Sequence, residues 1–343
     1  MLHDGHIAVL KGPDIEAVLA GRELEMIRTV RMAYETHGAG DSSLPHSIFL
    51  RFPGQSRDQI IALPAYLGGG CQIAGIKWVS SFPDNQHLGV DRASAVIILN
   101  SPETGRPEAV LEGSVISAKR TAASAALAAQ CLLDGKKVSR VGMIGCGRIN
   151  FEIARFLRAV LPEAQTFVLF DKDASRAKQF QNNLRKSFYG PEVEIAKDVQ
   201  TALRDPTLIS IATTALTPHI DELPRSPTGG TILHVSLRDL APEVILSCDN
   251  VVDDVDHVCR AQTSVHLAEQ LVGHRNFIRC TLGDILRGCS AARSGPNTMS
   301  VFSPFGLGVL DLAVGKLARD LALLQGRETM IDSFLPATWA EGV

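Results

Sequence analysis

Ten residues, Val141 to Asn150 (Val-Gly-Met-Ile-Gly-Cys-Gly-Arg-Ile-Asn), restrict the fold of this chain more than any others. A short apolar run ends in Gly145-Cys146-Gly147, and the amphipathic stretch Phe151 to Ala159 follows at once. Strand, glycine turn and helix in this succession open the pyrophosphate site of a dinucleotide-binding sheet. Gly145 permits the tight turn. Gly147 lets the backbone approach phosphates, which then sit on the N–H groups from Cys146 to Ile149 at the positive end of the helix. Asn150 stands where the fingerprint usually has its third glycine.

The stretches that follow extend this pattern. Thr166 to Phe170 reads as the second strand, and Asp171 ends it, 26 residues after Gly145. A carboxylate there accepts hydrogen bonds from ribose hydroxyls and repels a 2′-phosphate, which predicts NAD over NADP. Lys172 beside it softens that repulsion, and an exposed turn acid is the alternative. Two further strand ends carry polar residues: Thr213 and Thr214 after Ile211-Ala212, and Ser236, Arg238 and Asp239 after Val235. Ligands of open α/β sheets bind outside the carboxyl ends of parallel strands. A charged pair in such a place is also, in many proteins, only a turn.

The alternation is regular: strand 140–145, helix 149–160, strand 166–171, helix 174–187, strand 192–196, helix 198–204, then strands 207–213, 231–237 and 250–254. Such βα units predict a parallel, doubly wound sheet. Before them, strands at 48–52, 60–64, 73–80, 95–100 and 108–111 lack this regularity and suit a separate sheet with one buried face. Residues 14–37 suit one or two helices, 81–89 a loop, and the alanine-rich 117–133 a long connecting helix. A late helix over 309–324 follows the short strand 299–305 and crosses back to the first domain. At 343 residues two domains are expected. The fold class is therefore α/β, a Rossmann-like doubly wound parallel sheet plus an α+β domain.

Composition removes several classes of function. Net charge is −3 with no Lys/Arg block, which gives nucleic acid and anionic membrane surfaces nothing to bind. No apolar run reaches the ~18 residues of a membrane span, and Met1 to His6 opens no signal-peptide pattern. Seven cysteines, at 71, 131, 146, 248, 259, 280 and 289, occur singly without Cys-x-x-Cys spacing. That pattern fits neither a disulfide framework nor a zinc site, so no metal and a reduced, cytoplasmic setting are expected. The ten histidines show no metal spacing and read as ordinary surface or core residues.

In the first domain Lys77 lies inside the apolar strand Ala74-Gly75-Ile76-Lys77-Trp78-Val79. A lysine so placed either snorkels to the surface or is held for an anionic substrate or a chemical role. Arg51 ends Ile48-Phe49-Leu50, where a solvated strand end is the plainer reading. Arg120, opening the alanine-rich helix, offers a bidentate fork to a carboxylate or phosphate.

Taken in order and spacing, these pieces resemble the ornithine cyclodeaminase/mu-crystallin family across nearly the whole chain. They are Gly75-Ile76-Lys77-Trp78, Ser117-Ala118-Lys119-Arg120-Thr121-Ala122-Ala123, Gly145-Cys146-Gly147, Ser236-Leu237-Arg238-Asp239 and Gly306-Leu307-Gly308. Asp91-Arg92-Ala93-Ser94, residues 96–104 and Val252-Asp253-Asp254 look nearest to the branch that acts on N-(2-amino-2-carboxyethyl)-L-glutamate, known from siderophore and peptide-antibiotic pathways.

The resemblance implies an NAD-binding domain over 117–308 and a substrate-binding and dimerisation domain over 1–116 with 309–343, in a homodimer. It implies a hydride taken by NAD from the glutamyl Cα, then hydrolysis of the imine to 2,3-diaminopropionate and 2-oxoglutarate. Asp239 takes the family's catalytic-aspartate position, with Lys77 as a second catalytic candidate. Arg51, Lys77, Arg92, Arg120 and Arg238 answer the substrate's three carboxylates. Arg120, Thr121, Gly145 to Ile149, Asp171, Thr213, Thr214, Ser236 and Gly306 answer the cofactor. Cyclodeaminases commonly carry a lysine soon after the aspartate; here Leu240-Ala241-Pro242 follows. Cyclodeaminase, imine-reductase or amino-acid dehydrogenase chemistry, or a non-catalytic ligand carrier like mu-crystallin, are the alternatives.

Overall fold

The computed structural model describes residues 5–187, 190–224 and 229–336. Met1 to Asp4, part of the stretch read for a signal peptide, and the end of the C-terminal segment assigned to the first domain lie outside the described residues. The chain divides into two compact units, Met1–Arg120 with Leu307–Val343 and Thr121–Gly306.

The second unit is built on parallel strands in the order Glu192–Ile195, Thr166–Phe170, Arg140–Ile144, Leu208–Ile211, Gly230–His234, Met299–Ser303, Asp249–Val252, Ile278–Thr281. Successive strands run outward from Arg140–Ile144 to one side, and Leu208–Ile211 starts the other. The order therefore reverses at the carboxyl end of the strand that carries Gly145, the place where doubly wound sheets hold ligands. Both faces of the central strands are covered, which is why apolar residues dominate them, as in Phe167 to Phe170. Ile278–Thr281 was not foreseen. Its four residues include an arginine and a threonine and carry too little apolar signal to read as a strand.

The first unit holds a mixed sheet in the order Thr329–Ile331, Ile7–Leu10, Pro107–Glu112, Ala93–Asn100, Ile73–Ser81, Gln55–Leu67, Ser42–Ser43, with Ile48–Phe52 also on Gln55–Leu67. The strand expected at 60–64 is much longer and runs through Pro64. Proline fits there because that stretch lies between the parts of the strand that pair with Ile48–Phe52 and with Ser42–Ser43, so no ladder bond is lost on that side. The stretch expected as a loop at 81–89 contains a short 3-10 helix, Pro83–Leu88. Two helices, Gly12–Leu19 and Glu23–Gly38, and the late helix Gly308–Gln325 belong to this unit, the last packed across the three longest strands.

The long helix spans Gly113–Leu133, four residues earlier than read. Its first turn is closed by Glu112, whose carboxylate accepts from the N–H groups of Ser114 (2.7 Å) and Val115 (3.1 Å). Glutamate is not among the usual capping residues, and the early start was hidden for that reason. Arg120 consequently sits about two turns inside the helix instead of opening it. No helix among the described residues is long and apolar enough to cross a membrane.

Candidate functional site

Sheet parity decides which way Lys77 points. It pairs directly with Leu63 on one neighbour and Ile97 on the other, both buried under the helix Gly308–Gln325. Trp78 projects to the opposite face with Ala62, Ile48 and Val96. Lys77 is only 3% exposed, so it does not snorkel. Its Nζ donates to Asp311 Oδ2 at 2.7 Å and to Ser117 Oγ at 3.3 Å. Arg120 Nε donates to the other oxygen, Oδ1, at 2.9 Å. Asp311, fully buried, thus holds both cations. Two positive charges and one negative leave a net +1 in a place that excludes water.

Burial pushes the Lys77 ammonium down to about 8; the Arg120 charge adds to that, while Asp311 opposes it. As pH rises through about 8, Lys77 loses its proton and the cluster's net charge falls from +1 to zero. If the cluster binds a substrate carboxylate, KM should climb on the alkaline side of pH 8 in steady-state assays. A flat KM from pH 7 to 9.5 would remove Lys77 from carboxylate binding.

Arg51 shares the sheet face of Lys77, since it pairs with Gln59 and Gln59 lies four residues from Leu63 on the same strand. That is about 13 Å along the strand. Arg51 is exposed, with its guanidinium over the Phe49 ring. Arg92 lies ahead of Ala93–Asn100, half-buried, its carbonyl accepting from Phe82 N–H. The fold brings Lys77 and Arg120 together through Asp311.

In the second unit the glycine turn has the geometry a phosphate site needs. Gly145 has φ +88°, and a Cβ on it would lie 2.3 Å from the Ala212 carbonyl oxygen, so no other residue fits. A Cβ on Gly147 would meet nothing within 4 Å, leaving that side open to a ligand. The helix Arg148–Val160 begins there without a side-chain cap, at the end of a helix that favours anions. Asn150 replaces the third glycine for a physical reason. Buried, it donates from Nδ2 to the carbonyls of Ile144 (2.9 Å) and Gly145 (2.7 Å), and its Oδ1 accepts from Ser210 (2.7 Å). It ties the turn to the next strand.

Asp171 lies beside this turn. Its Oδ2 accepts from Cys146 N–H at 2.7 Å and its Oδ1 from Asp173 N–H at 2.9 Å. Burial, with the Asp171 charge nearby, pushes the Cys146 thiol up to about 12, so it is no nucleophile at neutral pH. Thr214 is exposed, Thr121 is half-buried in its helix, and Gly306 (φ +96°) donates to Asp253 Oδ2 at 2.7 Å.

Asp239 is the centre of a network. It is fully buried; Thr213 Oγ1 donates to Oδ1, Ser236 Oγ donates to Oδ2, and His219 Nε2 lies 3.1 Å from Oδ1. Thr213 and Ser236, read from sequence as cofactor contacts, have their hydroxyls on this carboxylate. The His234 ring, also buried, accepts the Asp239 N–H at Nε2 (3.2 Å) when neutral, and when protonated can donate to Oδ2, 3.4 Å away; its Nδ1 meets Ser303 Oγ at 3.2 Å. Burial pushes the Asp239 carboxyl up. Hydrogen bonds from His219, from His234 with its charge, and from Ser236 outweigh that and hold it well below the usual carboxylate range. The approach to Asp239 is strained: Leu237 has φ +69°, a conformation costly for a branched side chain. Arg238 donates from Nη2 to the Ala261 carbonyl at 2.7 Å.

Over residues 21–326 the sequence matches the profile of the ornithine cyclodeaminase/mu-crystallin family. The chain belongs to that family. Relatives include the N-((2S)-2-amino-2-carboxyethyl)-L-glutamate dehydrogenase of Staphylococcus aureus, 28% identical over 315 residues, 89% of this chain and 92% of that one. The alanine dehydrogenase of Archaeoglobus fulgidus is 26% identical over 95% of this chain and 98% of its own. Among solved structures, Thermococcus litoralis Δ1-pyrroline-2-carboxylate reductase in complex with NADH and L-proline superposes with a TM-score of 0.86 at 25% identity, covering 94% of this chain and 99% of that one. An archaeal alanine dehydrogenase dimer with bound NAD gives 0.84 at 25%, covering 95% and 99%.

Within this family member, sequence reasoning missed Asp311, His219 and His234. Asp311 did leave a signal, a lone carboxylate early in the otherwise apolar run Gly308 to Val314. The histidines left none, because their importance comes only from meeting Asp239.

Proposed function

We propose that this chain is an NAD-dependent dehydrogenase acting on the CH–NH bond of an amino acid, and that its substrate is N-(2-amino-2-carboxyethyl)-L-glutamate. The product imine is hydrolysed to 2,3-diaminopropionate and 2-oxoglutarate. The observation that carries the substrate reading is the buried Lys77–Asp311–Arg120 cluster. A net positive charge away from water suits an anion-rich amine, and only Nε of Arg120 is used by Asp311, which leaves the two terminal nitrogens to grip a carboxylate. The Staphylococcus aureus relative agrees with this reading.

The turn at Gly145–Gly147 and the start of the helix at Arg148 would hold the cofactor pyrophosphate, and Asp171 the ribose. NAD, when bound, supplies the hydride acceptor. The chain's own residues do the rest: Lys77 and Arg120 fix the carboxylates, and Asp239 holds a negative charge where protons must move. Asp171→Ala should weaken NAD binding and reduce discrimination against NADP, measured by titration with both cofactors; an unchanged preference would remove Asp171 from the ribose. A homodimer is part of the reading. Ile48, Leu50 and Trp78 lie on the face of the first sheet opposite Lys77 and are 66%, 45% and 40% exposed, an apolar patch of the kind that partners cover.

The deciding assay follows NADH at 340 nm with the amino-acid adduct, alanine, proline and ornithine in turn. NADH formed in step with 2-oxoglutarate from the adduct is the expected result. Ammonia from ornithine without net NADH would instead assign a cyclodeaminase.

A further inference from the structure

We propose that His219 carries the proton in this reaction, with Asp239 as the buried anchor that orients and polarises it. The inference rests on the dehydrogenase reading above and adds a group that the sequence did not single out. Asp239 is badly placed to exchange protons itself. Its side chain has no exposure, Oδ1 is met by Thr213 and His219, and Oδ2 is met by Ser236. His234 is equally buried, with both ring nitrogens engaged. His219 differs: its side chain is 24% exposed, so it reaches outward from the network that Asp239 closes.

The backbone fixes it there. The N–H groups of His219 and Ile220 both donate to the Asp239 carbonyl at 2.9 Å, and Ala241 N–H returns to the Ile220 carbonyl at 2.9 Å. The two segments form a short parallel bridge at Ile220 and Leu240, beside the carboxyl ends of the strands Leu208–Ile211 and Gly230–His234. Because an ionised carboxylate can only accept, the proton between the two groups sits on Nε2 of His219. The neutral ring then has its lone pair on Nδ1, ready to take a proton, and the charge formed is matched by the carboxylate behind it.

The hydrolytic step balances on this nitrogen. Water adds through its oxygen to the imine carbon and gives one proton to Nδ1, while the C=N π pair moves to nitrogen, which takes that proton from Nδ1. The carbinolamine then collapses. Its hydroxyl proton passes through Nδ1 to nitrogen, the C–N bond breaks with its pair leaving on the primary amine, and the oxygen pair closes the ketone. One water is consumed and no electrons are transferred.

Two variants test this in the full chain. His219→Gln keeps an amide donor for Oδ1 but cannot shuttle a proton, and His219→Ala opens space for added imidazole. Expected results are a fall in kcat of at least ~10²-fold in both with NAD binding unchanged, loss of one ionisation from the kcat/KM profile of His219→Gln, and partial recovery of His219→Ala by imidazole. Wild-type kcat in His219→Gln overturns the proposal. So does a loss with the pH profile unaltered and no imidazole rescue, which marks a structural role. If the wild type oxidises alanine but not the adduct, the substrate reading fails, and the same two variants on alanine, whose imine is hydrolysed in the same way, decide His219 independently; oxidation of proline alone, which leaves a cyclic imine unhydrolysed, overturns both. Wild type inactive on every amine overturns both.

Discussion

Asp311→Ala should destabilise the first unit by about 3–5 kcal/mol and abolish turnover, the larger of the two stability effects this site can produce. The figure is that of breaking a buried ion pair by removing one partner. Here a single carboxylate serves two cations, Lys77 at 2.7 Å and Arg120 at 2.9 Å, and all three groups are buried. Without it, the Arg120 charge presses on Lys77 unopposed, and the ammonium is driven further below the value of about 8 that it has beside Asp311. Lys77 then sheds its proton near neutral pH, so the variant loses the positive charge as well as the stability. Asp311→Asn should fall between the two, keeping the shape and one acceptor but not the charge. Replacing all three residues by Met, Leu and Met should restore much of the stability, because apolar residues of similar volume can fill a buried ion-pair site at little cost, while activity stays lost. Denaturant unfolding of the three proteins separates the terms. Asp311→Ala unfolding at the wild-type midpoint would mean that the cations are already satisfied without it.

The contrast with what the sequence announced is instructive at this cluster. Lys77 was legible as a lysine where none belongs, and Arg120 as a fork on a small-residue helix, but their meeting was not. Asp311 follows Lys77 by 234 residues, and only the return of the last helix to the first sheet joins them. Local signals fared better. Strand, Gly-x-Gly and helix at 140–160 were readable because a positive φ with no room for Cβ leaves a glycine in the sequence. Parallel strands were readable because burial on both faces leaves short, mostly apolar stretches. The parts that stayed hidden depend on unusual local chemistry: Glu112 as a helix cap, Asn150 as the clamp on the glycine turn, Leu237 in a left-handed conformation. Each departs from the commonest residue for its task.

Asp239→Asn is expected to lower turnover by at least ~10²-fold while leaving NAD affinity and the fold intact. The substitution is nearly isosteric, and its amide can be accommodated. Thr213 and His219 still have an oxygen to donate to. Ser236 can turn its hydroxyl to the Ile211 carbonyl, 3.2 Å away, and accept from the new NH₂ group. What disappears is the charge, and with it the means of holding a protonated imidazole at His219. The stability profile supplies an independent reading. The Asp239 carboxyl is held below its unfolded value of about 3.9, so its contribution is present in full above that pH and is lost as pH falls towards the folded value. The wild type should therefore be the more stable protein at pH 7, and its lead over Asp239→Asn should shrink below pH 4. A variant that keeps full turnover would take Asp239 out of the mechanism. One that loses NAD affinity together with turnover would make it a support of the strand ends instead of a partner in proton transfer.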